Sequence, residues 1–243
     1  MLWPKWEKLP PEMQVSQVRP YYDVLQKKKA ALMVKRAFDA LAAFVLLLLL
    51  LPLELAIAAA IRLDSPGPVF FRQTRVTAYG RTFRIWKFRT MVDGADKGSG
   101  QLTVSADSRV TRVGKRLRGC RLDELPQLIN ILTGEMSFVG TRPEVPRYVA
   151  AYTPEMRATL LLPAGVTSEA SILYKDENEL LESAEDAARV YVEQVLPGKM
   201  RYNLDSLRHF SCLNDLKTMV RTVLAVCGVT VKEGQTEGEG KAV

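Results

Sequence analysis

The chain is poor in the residues that metal centres and disulfide-stabilised folds need. Among its 243 residues are one histidine, His209, and three cysteines, Cys120, Cys212 and Cys227. A single histidine excludes a multi-histidine metal site, and no pair of cysteines has the C-x-x-C spacing of a zinc site. An odd number of cysteines argues against a disulfide framework and is typical of a reducing compartment. Catalysis by histidine has one candidate, for which a surface or packing role is the simpler interpretation.

Acidic residues are also outnumbered. The chain has 34 lysines and arginines against 27 aspartates and glutamates, which gives a net charge of +7 and a pI of about 9.3. This excess predicts an anionic partner, such as nucleic acid, a membrane surface or a phosphate-rich substrate. The length suits one domain with an appendage.

One long hydrophobic run, AFDALAAFVLLLLLLPLELAIAAAI, occupies residues 37–61. It exceeds the roughly 20 apolar residues that span a bilayer. It is not a typical cleavable signal peptide, because the A-x-A-like ALAA lies before the leucines and not after them. The consecutive leucines leave no polar face, which makes a buried core helix the least favoured interpretation.

Three features of this run favour a re-entrant segment over a simple span. Pro52 interrupts the helix, because proline lacks an N–H and clashes with the preceding turn. Glu54 places a carboxyl group at a depth where it is costly. Basic residues flank both ends, among them Lys35, Arg36 and Arg62, and such residues favour the cytoplasmic side. We therefore predict a segment that bends at Pro52 and returns to its original side, with a kinked span as the alternative.

Elsewhere the pattern predicts an α+β fold that is mainly helical. Alternating apolar and basic residues in VFFRQTRV and RTFRIWKFRTM, on either side of Gly80, predict a short β-hairpin. Helices are predicted over 109–119, 123–133 with an end near Gly134, 153–160, Ser183 to Leu196, and 204–226. The apolar face of the last helix fits either core packing or the membrane interface.

These elements divide the chain into four predicted parts. The parts are an N-terminal extension (1–34), a re-entrant membrane helix-break-helix (35–62), a surface-lying domain (63–228), for which the motifs described below predict catalysis, and a disordered tail (229–243). The tail is predicted from its polar and glycine-rich composition.

The stretch LRGCRLDELPQLINIL, residues 117–132, places two adjacent carboxylates after a cluster of arginines. Because proline is tolerated in the first turn, Pro126 predicts a helix that starts near Asp123. The positive end of the helix dipole and the nearby arginines should lower both carboxyl pKa values. We therefore predict that Asp123 and Glu124 are ionised at pH 7, which suits a nucleophile or a Mg²⁺ ligand. An ordinary helix cap is the simpler alternative.

Cations that could meet this pair lie near the ends of other elements, and they are Lys87, Arg89, Arg118, Arg121 and Arg142. Arginine binds phosphate oxygens through two parallel hydrogen bonds. A single basic residue is usually a solvated surface residue. A carboxylate pair among several cations is what phosphoryl transfer requires, so the spacing predicts such a site.

Five segments closely resemble the bacterial sugar transferase family, the monotopic phosphoglycosyl transferases. They are KRAFD (35–39), GPVFFRQTRV (67–76), FRIWKFRTM (83–91), LDELPQLINILTGEMSFVGTRPE (122–144) and NDLKTMVRTV (214–223). The resemblance covers about residues 33–225. It implies that a sugar 1-phosphate passes from a nucleoside diphosphate sugar, usually a UDP-sugar, to undecaprenyl phosphate, with UMP released. It also implies the cytoplasmic face of the bacterial inner membrane and the first membrane step of surface glycan assembly.

The resemblance further implies a role for each matching residue of the site. Asp123 matches the nucleophile of a covalent phosphosugar–enzyme intermediate. Glu124 matches a neighbour associated with Mg²⁺, which Asp123 is also expected to contact. The residues expected to bind substrate phosphates are Arg118, Arg142, Lys87 and Arg89.

Other matches and two departures concern the membrane boundary and the donor. Lys35 and Arg36 match basic residues suited to lipid headgroups or the polyprenyl phosphate, and Pro52 matches the bend of the re-entrant helix. Thr141 stands where the family usually has the first proline of G-P-R-P. The stretch PAGVTSEASI (163–172) departs from the family pattern in a region expected to touch the nucleotide sugar, so the donor's identity stays open.

A second interpretation is a membrane-anchored basic module that binds nucleic acid or acidic lipid without catalysis. The interleaved aromatic residues of the predicted hairpin permit base stacking. Asp123 and Glu124 oppose it, because two anions inside the basic cluster would repel phosphate, and we expect no nucleic-acid partner. A third interpretation, an inactive regulator, depends on Thr141. The sequence leaves open which sugar is transferred and whether the chain forms a homodimer.

Overall fold

The computed structural model describes residues 3–95, 108–174, 186–226 and 229. Its helices are α1 (Arg19–Lys27), α2 (Lys29–Asp64), α3 (Arg112–Gly119), α4 (Gln127–Thr133), α5 (Pro146–Val149), α6 (Glu169–Leu173), α7 (Ala187–Val190), α8 (Leu196–Arg208) and α9 (Cys212–Val226). Its strands are β1 (Phe70–Val76), β2 (Thr82–Phe88), β3 (Met136–Val139) and β4 (Ala164–Thr167). Short 3₁₀ turns include Leu122–Glu124 and Met156–Leu161. The prediction of a mainly helical α+β fold with short strands is confirmed.

The predicted β-hairpin is confirmed. β1 and β2 pair antiparallel along their whole length. The turn between them has a left-handed backbone, with φ of 60° at Tyr79 and 70° at Gly80, a region that glycine adopts without strain. Phe83 and Ile85 of β2 are buried against Ile131 of α4. The hairpin is thereby fixed on α4, which places the end of β2 beside the Asp123–Glu124 turn.

A short parallel pair of strands, β3 and β4, was not among the sequence predictions. Beyond β3 the two chains come so close that a Cβ at Gly165 would lie 2.2 Å from the nitrogen of Gly140. Two backbone hydrogen bonds join the same segments. The Gly140 N–H donates to the carbonyl oxygen of Thr167 at 3.0 Å, and the Gly165 N–H donates to that of Thr141 at 2.9 Å. This contact fixes the start of the loop that carries Arg142.

The helix α2 contains the long hydrophobic run and passes through Pro52 without interruption. The predicted break in the helix is therefore wrong, because a proline removes one backbone donor while the bonds on either side hold the helix together. The predicted bend at Pro52 stays a prediction. Within the described residues, α2 is long and apolar enough to cross a membrane. Most of its apolar surface is exposed, which contradicts the interpretation as a buried core helix.

Both ends of α2 are bonded to the same folded domain. Near its start, Arg36 donates to the carbonyl oxygens of Ile131 at 2.6 Å and Leu132 at 2.8 Å. At its end, a carboxylate oxygen of Asp64 accepts a hydrogen bond of 2.9 Å from the Val113 N–H. Between these attachments several large apolar side chains are exposed: Leu48, Leu49, Leu51, Leu53 and Leu55.

The N-terminal region before α2 is part of the largest core. Leu9, Met13 and Leu25 are almost completely buried, in one cluster with Leu161 and Leu196 from later in the chain. Packing therefore does not separate the predicted N-terminal extension from the rest of the fold, and its functional independence stays a prediction.

The C-terminal helices differ from the prediction in their boundaries. The helix predicted to end at Leu196 instead continues through Pro197 into α8. A π-helical turn over Tyr191–Val195 comes before Pro197 and shifts the backbone hydrogen bonds, so that the missing N–H of the proline is tolerated. The single helix predicted over 204–226 is instead two, α8 and α9. The apolar residues of α9 are largely exposed. The interpretation that this face packs in the core is therefore wrong for Leu213, Leu216, Val220 and Val223. The predicted start at Ser183 and residues 230–243 of the predicted tail lie outside the described residues.

Candidate active site

The two carboxylates lie in a tight turn between α3 and α4, on the wall of a cavity of about 1410 Å³. The prediction that a helix begins near Asp123 is wrong: residues Leu122–Glu124 form a 3₁₀ turn, and α4 begins at Gln127 with Pro126 as its N-cap. The chain reverses at Arg121, whose φ of 54° is left-handed. Asp123 therefore does not sit on the first turn of an α-helix, and the helix dipole does not explain its chemistry. The predicted helix end at Gly134 is confirmed.

The Glu124 carboxylate is clamped by two cations from different elements. Lys87, at the end of β2, donates to its Oε1 at 2.9 Å. Arg142 donates to both carboxylate oxygens, with Nη1 at 3.3 Å from Oε2 and Nη2 on Oε1. Burial alone would raise the pKa of Glu124, but the charges and hydrogen bonds of Arg142 and Lys87 hold it well below its usual value. Glu124 is therefore ionised at neutral pH, as predicted.

The Asp123 carboxylate is in a different state. Within the described part of the chain, no side chain donates a hydrogen bond to it and no cation lies within ion-pair distance. Burial raises the pKa of Asp123, and Glu124 raises it further, while Lys87 and Arg118 partly oppose the shift. The predicted lowering of this pKa by arginines is wrong, because desolvation outweighs the attraction of cations that are bonded elsewhere. Asp123 is thus a poorly solvated, weakly held carboxylate.

Arg118, on the last turn of α3, lines the same cavity. Its Nε donates to the hydroxyl oxygen of Thr90 at 2.8 Å, just beyond β2. Arg118 is among the cations whose charge lowers the pKa of Asp123. Four of the predicted residues, Lys87, Arg118, Arg142 and Glu124, are therefore gathered around Asp123 by the fold.

Arg89 also borders the cavity, but its guanidinium is hydrogen-bonded to the backbone after α2. The side chain is 5% exposed. It donates to the carbonyl oxygen of Pro66 at 2.6 Å, and to the carbonyl oxygen of Ser65 at 2.7 Å. These bonds hold the turn that follows α2. The geometry gives Arg89 a structural contact, and its role in phosphate binding stays a prediction.

The predicted membrane-boundary residues lie outside the carboxylate cluster. The Lys35 ammonium is 2.6 Å from a carboxylate oxygen of Asp215, which joins α2 to α9. Arg36 caps the carbonyl end of α4 with both of its hydrogen bonds to Ile131 and Leu132. Pro52 lies in the exposed apolar part of α2. The first two thus make contacts that hold α2 on the domain, and all three lipid-related roles stay predictions.

A divalent cation would find two adjacent carboxylates here. No cluster of three or more histidine, cysteine, aspartate or glutamate side chains suited to a metal occurs among the described residues. Mg²⁺ commonly uses one or two carboxylates and completes its shell with water and substrate phosphates. The unbonded carboxylate of Asp123, beside the ionised Glu124, fits that kind of site.

Two cavity residues were missed by the sequence analysis. Arg75 of β1 donates to the carbonyl oxygen of Pro143 at 3.0 Å and so supports the loop of Arg142. Gln127, four residues after Asp123, also lines the cavity and is 1% exposed. The four-residue spacing along a helical path was the available signal for Gln127. Nothing in the local pattern of β1 distinguishes Arg75 from its basic neighbours, since its contact depends on tertiary packing.

The chain is similar to several proteins named as sugar phosphotransferases that act on undecaprenyl phosphate. A UDP-glucose:undecaprenyl-phosphate glucose-1-phosphate transferase of Escherichia coli (strain K12) is 38% identical over 217 residues, covering 87% of this chain and 44% of that protein. One of the same name from Caulobacter vibrioides is 39% identical over 196 residues, covering 78% and 68%. A UDP-N-acetylgalactosamine-undecaprenyl-phosphate N-acetylgalactosaminephosphotransferase of Aeromonas hydrophila is 47% identical over 123 residues, covering 51% and 29%.

This chain spans less than half the length of the relatives from E. coli and Aeromonas hydrophila. The similarity to the Caulobacter protein covers more than two thirds of both chains. The family model described as bacterial sugar transferase matches residues 30–229, from the start of α2 to beyond α9. The chain therefore belongs to the bacterial sugar transferase family.

Proposed function

We propose that this protein transfers a sugar 1-phosphate from a nucleoside diphosphate sugar to undecaprenyl phosphate. The proposed donor is a UDP-sugar. The products are a polyprenyl diphosphate sugar and UMP. The observation that carries the proposal is the contrast between two adjacent carboxylates, Glu124 clamped by cations and Asp123 without a hydrogen bond from the described residues. The names of the relatives support the same substrates.

The first half-reaction is a displacement at phosphorus by Asp123. A carboxylate oxygen of Asp123 attacks the phosphorus bonded to the sugar, and the bond from that phosphorus to the bridging diphosphate oxygen breaks. The electron pair leaves with UMP, and the sugar phosphate stays on Asp123 as an acyl phosphate. Partial desolvation favours this attack, because a half-buried carboxylate has less bound water to displace when it bonds to phosphorus.

The second half-reaction regenerates the carboxylate. A phosphate oxygen of undecaprenyl phosphate attacks the same phosphorus, and the bond between phosphorus and the Asp123 oxygen breaks. The polyprenyl diphosphate sugar leaves, and Asp123 is again an anion. Both substrates present phosphates, so one cluster of cations serves both steps. Arg118 lies on the same cavity wall and is suited to neutralise the charge of the phosphoryl group in transfer.

Glu124 has a supporting role in this scheme. Its salt bridges orient Lys87 and Arg142 toward the cavity that contains Asp123. We propose that Asp123 and Glu124 hold Mg²⁺ together with the donor's diphosphate. When bound, the cation would withdraw electron density from the diphosphate and favour departure of UMP.

We also propose that α2 is re-entrant and that the domain lies on the cytoplasmic face of the bacterial inner membrane. Arg36 and Asp64 bond the two ends of α2 to one domain, so a bilayer crossing would require that domain to lie on both sides. The exposed leucines between the two ends supply the surface that inserts into lipid. The exposed apolar face of α9 fits the membrane interface beside it.

Release of UMP tests the reaction. The full-length protein in membranes is incubated with Mg²⁺, undecaprenyl phosphate and a panel that contains UDP-glucose and UDP-N-acetylgalactosamine. We expect UMP and a lipid-linked sugar diphosphate from at least one donor, and loss of both on chelation of Mg²⁺. A protein that binds the lipid but releases no UMP from any UDP-sugar would refute the UDP-sugar reaction and favour a binding module.

A further inference from the structure

Gln127 stands out among the buried polar side chains because neither end of its carboxamide has a partner. Its side chain is 1% exposed, and within the described residues both Nε2 and Oε1 lack a hydrogen bond. The other unpartnered groups of the described chain each leave a single atom unbonded. The large majority of buried side-chain polar atoms in proteins have a hydrogen-bond partner, so a carboxamide with none requires an explanation.

The position of Gln127 connects it to the carboxylates. Leu125 and Pro126 have right-handed helical backbone angles, so the chain from Asp123 to Gln127 follows about one helical turn. Side chains separated by four residues lie on the same side of such a turn. Asp123, Glu124 and Gln127 accordingly line the same cavity.

The neighbouring carboxamide of Asn130 shows what a structural amide looks like in this fold. Asn130 is also fully buried. Its Nδ2 donates to the carbonyl oxygen of Arg84 at 3.2 Å and to Glu135 at 2.7 Å. Its Oδ1 accepts a bond of 2.9 Å from the Trp86 N–H. The fold thus satisfies one buried amide completely. It leaves another, one turn earlier on a residue that lines the cavity, with both groups unpartnered.

We propose that Gln127 is a further catalytic residue, whose Nε2 donates a hydrogen bond to an oxygen of the phosphoryl group that passes through Asp123. This inference rests on the proposed function and extends it. The phosphoryl group develops charge on its equatorial oxygens during transfer, and a preorganised neutral donor stabilises that charge without reorganisation. A neutral amide also suits a place beside two carboxylates, because it neither pairs with Glu124 nor neutralises Asp123.

The proposal predicts opposite effects of one substitution on stability and activity. Gln127→Met keeps most of the shape and removes both unpartnered polar groups. The melting temperature of the full-length protein in detergent should stay equal or rise, since replacing an unsatisfied buried group by an apolar one of similar shape costs little. The single-turnover rate of UMP release without acceptor should fall about 100-fold, as on loss of one oxyanion donor.

Two further variants sharpen the test. Gln127→Glu keeps the shape but replaces the amide donor by a third carboxyl group, and it should lose at least as much rate as Gln127→Met. Asn130→Leu removes a fully bonded amide and should lower the melting temperature. The pair Gln127→Met and Asn130→Leu thus separates an amide kept for a ligand from an amide kept for the fold.

The assay uses UDP-glucose and UDP-N-acetylgalactosamine as separate probes with Mg²⁺. Unchanged UMP release by Gln127→Met or Gln127→Glu, with wild type active, would overturn the inference and leave the proposed function intact. A clear fall in the melting temperature of Gln127→Met would also overturn it, because the amide would then be bonded within the fold. A wild-type protein that releases no UMP from either probe or any other UDP-sugar would refute the proposed UDP-sugar reaction, and the inference with it.

Discussion

The carboxylates of Asp123 and Glu124 are adjacent in the chain, yet the fold bonds cations to Glu124 alone. Lys87 and Arg142 reach Glu124 from β2 and from the loop after β3. Asp123 is left half-buried and unpaired among the described residues, with a raised pKa. Two carboxylates thereby differ in their contacts: Glu124 anchors two cations, and Asp123 is the nucleophile in the reaction that we propose.

The pH dependence of the first half-reaction follows from this difference. The reactive form of Asp123 is the carboxylate, and its pKa is raised from the model-compound value of 3.8. Activity should therefore fall as the pH falls through a value above that of an ordinary aspartate. Lys87 lowers this pKa, so Lys87→Met should move the acid limb to higher pH as well as reduce the rate. The measurement is the pH profile of donor kcat/KM.

The same shift has a consequence for stability. A carboxyl group whose pKa is raised on folding destabilises the folded state once the pH exceeds its unfolded value, because the folded state then retains a proton that the unfolded state releases. Asp123→Asn should therefore be at least as stable as wild type at neutral pH. Glu124 has a lowered pKa, so the stability it contributes is present above its unfolded pKa and is lost as the pH falls through the folded one. Glu124→Gln should be less stable than wild type at neutral pH.

Arg142 and Arg89 provide a matched comparison between a site arginine and a structural one. Arg142→Lys keeps the charge but loses the two-point contact with Glu124, and its kcat/KM should fall about 10- to 100-fold with little change in folding. Arg89→Lys removes contacts to Ser65 and Pro66, and it should chiefly lower the melting temperature.

Steady-state kinetics and thermal unfolding of the two variants decide between these roles. A large loss of donor kcat/KM in folded Arg89→Lys would instead support the predicted phosphate contact of Arg89.

Several features of the fold and site were accessible from sequence. Alternation and Gly80 predicted the hairpin, and Gly134 predicted the end of α4, because these signals are local. The parallel pair β3–β4 was not accessible, since its two short strands are far apart in sequence and need a close contact between Gly140 and Gly165. The raised pKa of Asp123 was missed for a similar reason, because the burial of its carboxylate depends on tertiary packing. The number of nearby arginines in the sequence also does not reveal that Lys87 and Arg142 are bonded to Glu124.

Arg121 holds backbone strain next to the site. Its φ of 54° lies in the left-handed region, which costs a residue with a Cβ about 1 kcal/mol and which asparagine tolerates better. Arg121→Asn should therefore raise the free energy of unfolding by about 0.5 to 1 kcal/mol. The matched control is Arg116→Asn, an exposed position inside α3, where asparagine should be neutral or destabilising. The free energy of unfolding of both variants is measured with denaturant. An equal decrease in the two would contradict the inference that Arg121 is strained.

The proposed re-entrant path of α2 predicts that both of its flanks face one side of the membrane. Single cysteines replace Ala30 and Pro66 in a background where Cys120, Cys212 and Cys227 are serine. A membrane-impermeant maleimide should label neither position in right-side-out vesicles and both positions after lysis. Labelling of one position from outside would make α2 a true span and would require the contacts of Arg36 and Asp64 to break.

The central claim is a covalent bond between Asp123 and the transferred phosphoryl sugar. The protein is treated with Mg²⁺ and an active UDP-sugar, quenched before any lipid acceptor is added, and digested for mass spectrometry. We predict a sugar-phosphate adduct on the peptide that contains Asp123, its loss on addition of undecaprenyl phosphate, and its absence in Asp123→Asn but not in Asp23→Asn, a surface control. UMP release at the wild-type rate by Asp123→Asn, with no adduct on that peptide in wild type, would contradict the account.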